Sequence, residues 1–247
     1  MAIIVALYNI KGGVGKTSAS VNLAWLAASG GSRVLLWDLD PQGAATFLLR
    51  ITPKVKGGAR KLVAGRSDPA ALLKGTDHER LDLLPADFSY RNMDLELDDV
   101  KRPTKGLARV LAPLADDYDY VFMDCPPAIS LASESVFGAA DVLLVPLIPS
   151  PLSVRTFDQL HQFVVGEVAN PPRILAFFSM TDGRKRLHRE VIASLTASHG
   201  GVLSSAIPAA SDVERMAVHR RVLAQTAPHG RAAAAYAALW AELRFRL

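Results

Sequence analysis

The sequence predicts an α/β protein in which a doubly wound, mostly parallel sheet is covered by helices on both faces. Short apolar segments alternate along the 247 residues with longer segments of helical character. These apolar segments do not alternate with polar residues, as expected of strands that are buried on both sides. A glycine-rich turn also joins the first strand directly to the first helix. No break in composition indicates a boundary, so we expect one domain over residues 1–247.

The predicted elements follow this alternation along the chain. Residues 3–7 are the first strand, and the Ala- and Leu-rich residues 18–28 are the first helix. Residues 53–67 are rich in Gly, Lys and Arg and predict a mobile surface loop, whereas residues 86–119 predict helix. Residues 232–243 carry apolar side chains at helical spacing, which predicts a helix packed on the sheet. The remaining predicted strands are 33–37, 81–84, 120–123, 142–146 and 174–178.

The glycine-rich turn predicts a phosphate-binding loop. Residues 11–17 read Lys-Gly-Gly-Val-Gly-Lys-Thr and stand between a predicted strand and a predicted helix. Glycines allow backbone N–H groups to turn toward phosphate oxygens, and the helix N-terminus adds a partial positive charge. In this context Lys16 reaches the β- and γ-phosphates, and the Thr17 hydroxyl is a ligand for Mg²⁺. The predicted nucleotide-binding residues of the loop are Lys11, Gly12, Gly13, Val14, Gly15, Lys16, Thr17 and Ser18.

The loop departs from the usual pattern at its beginning. Ile10 stands where the first glycine is expected, and a second lysine, Lys11, follows it. A lysine there has little room to serve its own nucleotide and is better placed to reach a phosphate held by another subunit. The sequence therefore predicts a nucleotide-dependent dimer. The alternative, a glycine-rich turn with two solvated lysines, is disfavoured by the flanking strand and helix.

Acidic residues follow two of the predicted strands. Asp124 comes after four apolar residues, as expected of a carboxylate that holds the shell of Mg²⁺ directly or through water. Asp38 and Asp40 end the second strand, which lies near the loop in a doubly wound sheet. One of these two can orient or deprotonate an attacking water while the other supports the metal; the alternative is that they cap helices. The predicted metal ligands are Thr17, Asp38 and Asp124.

Together these motifs resemble the ParA/MinD family of deviant Walker A ATPases. The resemblance rests on KGGVGKT at 11–17, DLDPQG at 38–43 and the apolar strand that leads into Asp-Cys-Pro-Pro at 124–127. The partition branch of ParA and Soj is the most similar, because it shares DLDPQGAAT and the segment Ser-Met-Thr-Asp-Gly-Arg at 179–184. Ile207-Pro208 and Tyr236 fall in the expected order. The resemblance covers nearly the whole chain.

The resemblance implies roles for individual residues. Lys11 would contact the nucleotide across a sandwich dimer, Lys16 and Thr17 would bind the phosphates and Mg²⁺, and Asp40 would position the hydrolytic water. Pro208 would lie in the loop that contacts adenine. The implied catalytic residues are therefore Lys11, Lys16 and Asp40, and the implied cofactors are ATP and Mg²⁺.

The resemblance also implies a homodimer with ATP that binds double-stranded DNA without sequence preference. A ParB-like or cargo-adaptor protein would stimulate slow hydrolysis, and the cycle would position a plasmid, a chromosome or a protein assembly on the nucleoid.

The charge pattern agrees with DNA binding, because residues 184–247 contain ten basic side chains against four acidic ones. Arginine and lysine on phosphates give salt-sensitive affinity that does not depend on sequence. The predicted DNA-contacting residues are Arg184, Lys185, Arg186, Arg189, Arg215, Arg220 and Arg221; a solvated basic face is the alternative for each.

Other members of this superfamily provide the alternatives. A MinD-like ATPase recruited to the membrane would need a basic amphipathic tip, and residues 244–247 are short for that role. Partners of the nitrogenase-reductase type need two cysteines per subunit for a bridging four-iron cluster, whereas Cys125 is the only cysteine. Iron–sulfur scaffold ATPases need a Cys-x-x-Cys pair, and tyrosine kinases a C-terminal tyrosine cluster; the sequence has neither.

The expected compartment is a reducing cytosol, in association with the nucleoid. A single cysteine allows no intrachain disulfide. We find no signal-peptide pattern at the N-terminus and no uncharged apolar run near the ~20 residues of a membrane span. Stable membrane association is therefore not expected.

Overall fold

The computed structural model describes all 247 residues, and its centre is one eight-stranded sheet. The strand order is β3-β4-β2-β5-β1-β6-β7-β8, and every neighbouring pair is parallel except β3 with β4. The strands are β1 (Ile3–Leu7), β2 (Val34–Asp38), β3 (Lys74–Gly75), β4 (Leu81–Leu84), β5 (Tyr120–Asp124), β6 (Val142–Leu147), β7 (Arg173–Thr181) and β8 (Val202–Pro208).

Eleven α-helices connect and cover the strands, with four short 3₁₀ turns between residues 70 and 114. None of the helices combines the length and the apolar character that crossing a membrane requires. The helices are α1 (Lys16–Ser29), α2 (Ala44–Leu48), α3 (Gly58–Val63), α4 (Met93–Asp98), α5 (Gly106–Leu111), α6 (Leu131–Phe137), α7 (Pro151–Glu167), α8 (Arg186–Ser198), α9 (Ser211–His219), α10 (Leu223–Thr226) and α11 (Arg231–Arg246).

Helices cover both faces of the sheet, which confirms the predicted fold class. One apolar layer joins alternate strand residues to α3 through α8, and the other joins the intervening residues to α1, α2, α9, α10 and α11. In β2, for example, Leu35 and Trp37 belong to the first layer, while Val34 and Leu36 belong to the second. All four side chains are fully buried. Strands buried on both sides explain the absence of polar alternation in the sequence.

Two expectations for the first half of the chain need correction. The prediction of a mobile loop over residues 53–67 is wrong, because α3 forms there and buries Ala59 and Leu62 in the core. The prediction that residues 86–119 are helical is only partly correct, because the two short helices α4 and α5 alternate there with 3₁₀ turns. Pro103 and Pro113 lie in the first turn of two of these 3₁₀ segments, where proline interrupts a continuous helix.

Both edges of the sheet were predicted incompletely. The sequence did not indicate β3, which is only two residues long, or β8 at the opposite edge. The predicted closing helix is confirmed as α11, which buries Tyr236, Leu239 and Trp240 in the core. The indole ring of Trp240 meets the ring of Tyr120 edge-on, with the centroids 5.2 Å apart.

A carboxylate joins α11 to β8. The side chain of Glu242 accepts hydrogen bonds from the backbone N–H groups of Ser204 and Ser205, both at 2.8 Å. Burial acts to raise the pKa of Glu242, but the hydrogen bonds from Ser204 and Ser205 outweigh it and hold this pKa below its usual value. The ionised form of Glu242 therefore stabilises the folded state at neutral pH.

We expect Glu242→Gln to lower the free energy of unfolding by about 1–2 kcal/mol at pH 7, because a charged acceptor of two hydrogen bonds becomes neutral. A carboxyl group with a depressed folded pKa stabilises above its unfolded pKa, about 4.3, and loses that contribution as the pH falls through the folded value. Urea unfolding from pH 7 to pH 3 should therefore show the difference between the two proteins shrinking. Glu214→Gln is the control, since Glu214 is exposed and has no partner; an equal effect there would contradict the role of Glu242.

Candidate nucleotide-binding site

The loop between β1 and α1 has the backbone shape of an anion cradle. Gly13 and Gly15 have φ values of 70° and 92°, in the left-handed region that favours glycine. Gly15 also approaches β7 closely, because a Cβ atom there would lie 2.9 Å from the Ser179 Oγ atom. Helix α1 begins directly at Lys16, so its free N–H groups open onto the loop. This arrangement suits a phosphate group.

Lys16 is held inside the loop by two backbone carbonyl groups. Its Nζ atom donates to the carbonyl oxygens of Asn9 at 3.2 Å and Lys11 at 3.0 Å, and only 7% of the residue is exposed. Burial lowers the pKa of Lys16, while the charges of Asp124 and Asp40 oppose that shift. The carbonyl groups and nearby carboxylates thus compensate for an ammonium group removed from water. Lys16 therefore places a buried positive charge inside the loop, which suits an anionic ligand.

Asn9 is a contributor that the sequence did not indicate. Its side-chain amide donates to the Pro146 carbonyl on β6, and its Oδ1 atom accepts the N–H of Lys11 at 2.9 Å. Asn9 thereby fixes the start of the loop to the neighbouring strand, while its own carbonyl holds Lys16. In the sequence, the only indication of this role is the position of Asn9 shortly before the loop.

The carboxyl ends of β1, β2 and β5 meet beside the loop. Strand register places Asp124 next to Leu7 on one side and next to Asp38 on the other. Asp124 is fully buried; its Oδ1 atom accepts the Ser20 hydroxyl at 3.1 Å, whereas its Oδ2 atom has no partner. Burial, reinforced by the charge of Asp38, raises the pKa of Asp124, and the Thr17 hydroxyl opposes the shift. A buried carboxylate oxygen without a partner, near a threonine hydroxyl, suits a cation.

Asp38 is also fully buried, but both of its oxygens are occupied. Its Oδ2 atom accepts the Thr46 N–H at 2.8 Å and the Thr46 hydroxyl at 2.7 Å, and its Oδ1 atom accepts the Asp40 N–H at 3.3 Å. Burial raises the pKa of Asp38, and the bonds from Thr46 and Asp40 oppose the rise. This geometry favours Asp38 as an anchor for the loop that carries Asp40 over direct coordination of a metal.

Asp40 is the most accessible of the three carboxylates. It is half-buried, and its Oδ1 atom accepts only the N–H of Gln42, at 2.9 Å. The carbonyl of Asp40 accepts the N–H of Gly43, which closes the turn before α2. Asp40 therefore lies in a fixed turn with acceptor capacity remaining, as a residue that orients a water molecule requires.

The other predicted loop residues differ in exposure. Gly12 is exposed, Val14 is buried, and Thr17 and Ser18 are half-buried at the start of α1. The Lys11 side chain is half-buried and forms neither an ion pair nor a hydrogen bond within the chain. Its ammonium group thus remains available to a partner outside this chain.

Pro208 lies at the end of β8 and lines a pocket of about 480 Å³. Thr181, the last residue of β7, lies beside Pro208 in the sheet and also lines the pocket, as do the following residues 182–184 and Arg231 at the start of α11. A volume of this order accommodates a small-molecule group. The structure therefore brings Pro208 together with the segment 179–184 that the sequence singled out.

The predicted DNA-contacting residues fall into two groups. Arg184 is paired with Asp182 at 3.0 Å, Arg186 with Glu190 at 2.6 Å, and Arg189 donates to the Gly183 carbonyl at 2.6 Å. These three charges are partly satisfied within the chain. The remaining four, Lys185, Arg215, Arg220 and Arg221, form no ion pair with an acidic residue.

The residues present fit a magnesium–nucleotide complex. The buried Lys16 amine, the open N-terminus of α1 and the unpartnered Oδ2 atom of Asp124 converge on the loop. No cluster of three or more His, Cys, Asp or Glu side chains could hold a metal alone. This pattern agrees with Mg²⁺, which commonly binds through one or two carboxylates together with phosphate oxygens.

Comparison with known protein families gives one match, to the family model described as AAA domain (AAA_31), over residues 2–170. Among relatives, the sporulation initiation inhibitor protein Soj of Bacillus subtilis (strain 168) is 34% identical over 197 residues, which are 78% of each chain. The chromosome-partitioning ATPase Soj of Treponema pallidum (strain Nichols) is 30% identical over 205 residues, or 81% of this chain and 80% of that protein.

The fold also matches a solved structure that contains a nucleotide analogue. The structure of cobyrinic acid a,c-diamide synthase from Mycobacterium smegmatis with a bound ATP analog and magnesium superposes with a TM-score of 0.84. The match is 28% identical in sequence and covers 98% of this chain and 94% of that one. An ATP analog and magnesium are therefore bound in a relative whose fold extends over nearly the full length of this chain.

The contact between Thr46 and Asp38 can be tested through stability. Thr46→Val removes the hydroxyl group that donates to Asp38 and accepts the N–H of Ala86 at 2.9 Å, so two buried polar groups lose a partner. We expect the free energy of unfolding to fall by about 2 kcal/mol or more, measured by urea unfolding at pH 7. Thr46→Ser keeps the hydroxyl group and should lose less. Equal stability of the Val and Ser variants would contradict the anchoring role of Asp38.

Proposed function

The chain belongs to the AAA domain family and is a P-loop ATPase of the ParA and Soj type, and from that premise we propose that it is a Mg²⁺-dependent ATP switch that binds DNA. In this proposal residues 1–247 act as one ATPase domain. The buried Lys16 amine inside the glycine loop is the observation that carries the nucleotide assignment, because a buried cation whose hydrogen bonds go only to backbone carbonyl groups suits an anion.

The phosphates of ATP would bind to the N–H groups of residues 12–18 and to Lys16. Thr17 and Asp124 would hold Mg²⁺, which supplies charge neutralisation at the phosphate oxygens when it is bound. Asp38 would act through Thr46 and the turn at Asp40, whose carboxylate would orient the attacking water. Pro208 would contact the base from the end of β8.

Dimerisation would follow from Lys11. Its ammonium group has no partner within the chain, and Lys11 is half-buried at the beginning of the loop, next to the exposed Gly12. A second subunit that presents its own nucleotide would supply the missing anion. Because the phosphates of both nucleotides then lie in the interface, the dimer would form with ATP and separate after hydrolysis.

DNA binding would depend on the basic side chains of the C-terminal part. Lys185, Arg215, Arg220 and Arg221 lack acidic partners, so their charges are available to phosphate groups. A dimer presents each charge twice, and the resulting avidity would couple DNA binding to ATP. A ParB-like or cargo-adaptor protein would stimulate hydrolysis and release the dimer, so that cycles of binding position a cargo on the nucleoid.

The principal test is the binding of a random-sequence 30-bp duplex with ATP, with ADP and without nucleotide. We expect affinity with ATP to be at least about tenfold higher than with ADP and to fall steeply with salt, because phosphate contacts release counterions. Lys16→Ala should remove the effect of ATP, whereas Lys105→Ala should leave it intact.

The MinD-like alternative is correct if DNA binds in no nucleotide state while anionic vesicles bind the ATP-loaded protein. In that case Phe245, which is 90% exposed between Arg244 and Arg246, would be the first membrane contact.

We expect Asp40→Ala to retain ATP and the dimer while losing hydrolysis by at least about a hundredfold, as for a residue that orients or activates water. Steady-state phosphate release gives the turnover, and sedimentation with ATP gives the oligomeric state. Asp99→Ala, which removes an exposed carboxylate without a partner, is the control. A monomeric Asp40→Ala protein at saturating ATP would contradict the assigned role.

A further inference from the structure

A small basic pocket lies where the end of α2 meets the end of α9, away from the glycine loop. It has a volume of about 190 Å³ and is lined by Arg50, His78, Arg220 and Arg221, among others. Its only acidic member is Asp77, 3.7 Å from Arg50. Both side chains of that pair are more than half exposed, so their attraction is weak. The pocket therefore carries an excess of positive charge.

Two of these arginines have a backbone conformation that normally favours glycine. Arg50 follows α2 with a φ value of 62°, and Arg220 follows α9 with a φ value of 49°. At the end of α2, the N–H of Arg50 bonds to the Phe47 carbonyl and that of Ile51 to the Thr46 carbonyl, a pattern that usually ends on glycine. Non-glycine residues in this region tend to occur at functional sites. Here both left-handed residues are arginines that face one pocket.

Arg220 is fixed in place, yet its terminal nitrogens have no partner. Its Nε atom donates to the Phe47 carbonyl at 2.8 Å, and its guanidinium carbon lies 4.4 Å from the centroid of the Phe47 ring. These contacts fix the plane of the guanidinium group without using its two outer nitrogens. Arg221 forms no ion pair through its side chain. The arginines at 184 and 186, in contrast, are each paired with an acid.

We propose that this pocket receives one phosphate group of the DNA backbone and that Arg50, which the sequence did not single out, is a phosphate-binding residue. The inference rests on the proposed binding of DNA. The volume is well below that of typical sites for whole small molecules, so a single phosphate group is the fitting ligand. Planar guanidinium groups match phosphate oxygens in pairs.

A continuous backbone suits the pocket better than a free phosphate ion. Arg215 is exposed on α9 and lies five residues before Arg220, which is about 7.5 Å along the helix axis. A nucleic-acid strand that leaves a phosphate in the pocket can continue past the charge of Arg215, whereas an isolated phosphate in the pocket cannot reach it.

The experiment compares Arg50→Asn with Arg102→Asn. Asparagine tolerates the left-handed conformation, so both variants remove one charge without forcing the backbone to change. Arg102 is the matched control, because it is an exposed arginine with a φ value of 56° that lies outside the pocket. Binding of a random 30-bp duplex is measured with saturating ATP from 50 to 200 mM salt, and thermal unfolding checks the fold of each variant.

We expect Arg50→Asn to weaken DNA binding by about threefold for each phosphate interaction that it removes, and to reduce the slope of log K against log salt by about 0.9 for each such interaction. Arg102→Asn should match the unchanged protein. Equal affinities and slopes for the two variants would overturn the inference and leave the proposed DNA binding intact. If the unchanged protein binds no DNA with ATP, the proposed function fails first, and the inference fails with it.

Two parallel titrations separate the DNA backbone from a free ion and from the nucleotide site. The first uses inorganic phosphate alone: phosphate binding that Arg50→Asn removes while DNA affinity stays unchanged would overturn the DNA assignment. The second measures the affinity for ATP. A loss of ATP affinity that accounts for the DNA defect of Arg50→Asn would place the effect at the nucleotide site and would also overturn the inference.

Discussion

The burial of opposite charges at the ends of β1 and β5 is the constraint on which the rest of the site depends. Lys16 and Asp124 are both removed from water, and the carboxylate keeps one oxygen without a partner. Burying incompletely paired charges is unfavourable, so the surrounding structure must hold them. The parallel strands do so by close packing, while Asn9, Lys11 and Ser20 provide the few hydrogen bonds available. A bound magnesium–nucleotide complex would relieve this imbalance, because it brings both kinds of charge.

The second constraint is the way in which Asp38 organises the chain that follows β2. Asp38 uses both oxygens on Thr46 and on the backbone of Asp40, so the turn between them has little freedom. The more accessible Asp40 is therefore held by a buried carboxylate two residues earlier. Two acids that look equivalent in the sequence thus differ in environment, which is how neighbouring carboxyl groups take different roles.

Sequence patterns predicted the features that depend on residues close together in the chain. Strands such as β2 and β5 are visible because burial on both faces demands unbroken apolar residues, and the glycine loop is visible because its turns require glycine. Contacts between distant segments were not predictable in this way. Thr46 meets Asp38 only because α2 folds back after Gly43, and Arg220 reaches Phe47 across 173 residues of sequence. The two-residue strand β3 is too short to show any period.

Helix α2 is only five residues long, and two adjacent residues hold it: Thr46 donates to Asp38, and the carbonyl and ring of Phe47 contact Arg220. If one ligand binds beside Asp38 and another beside Arg220, linkage requires the factor by which each alters the affinity of the other to be the same in both directions. Any coupling of this kind would run through two adjacent side chains of one short helix, Thr46 and Phe47.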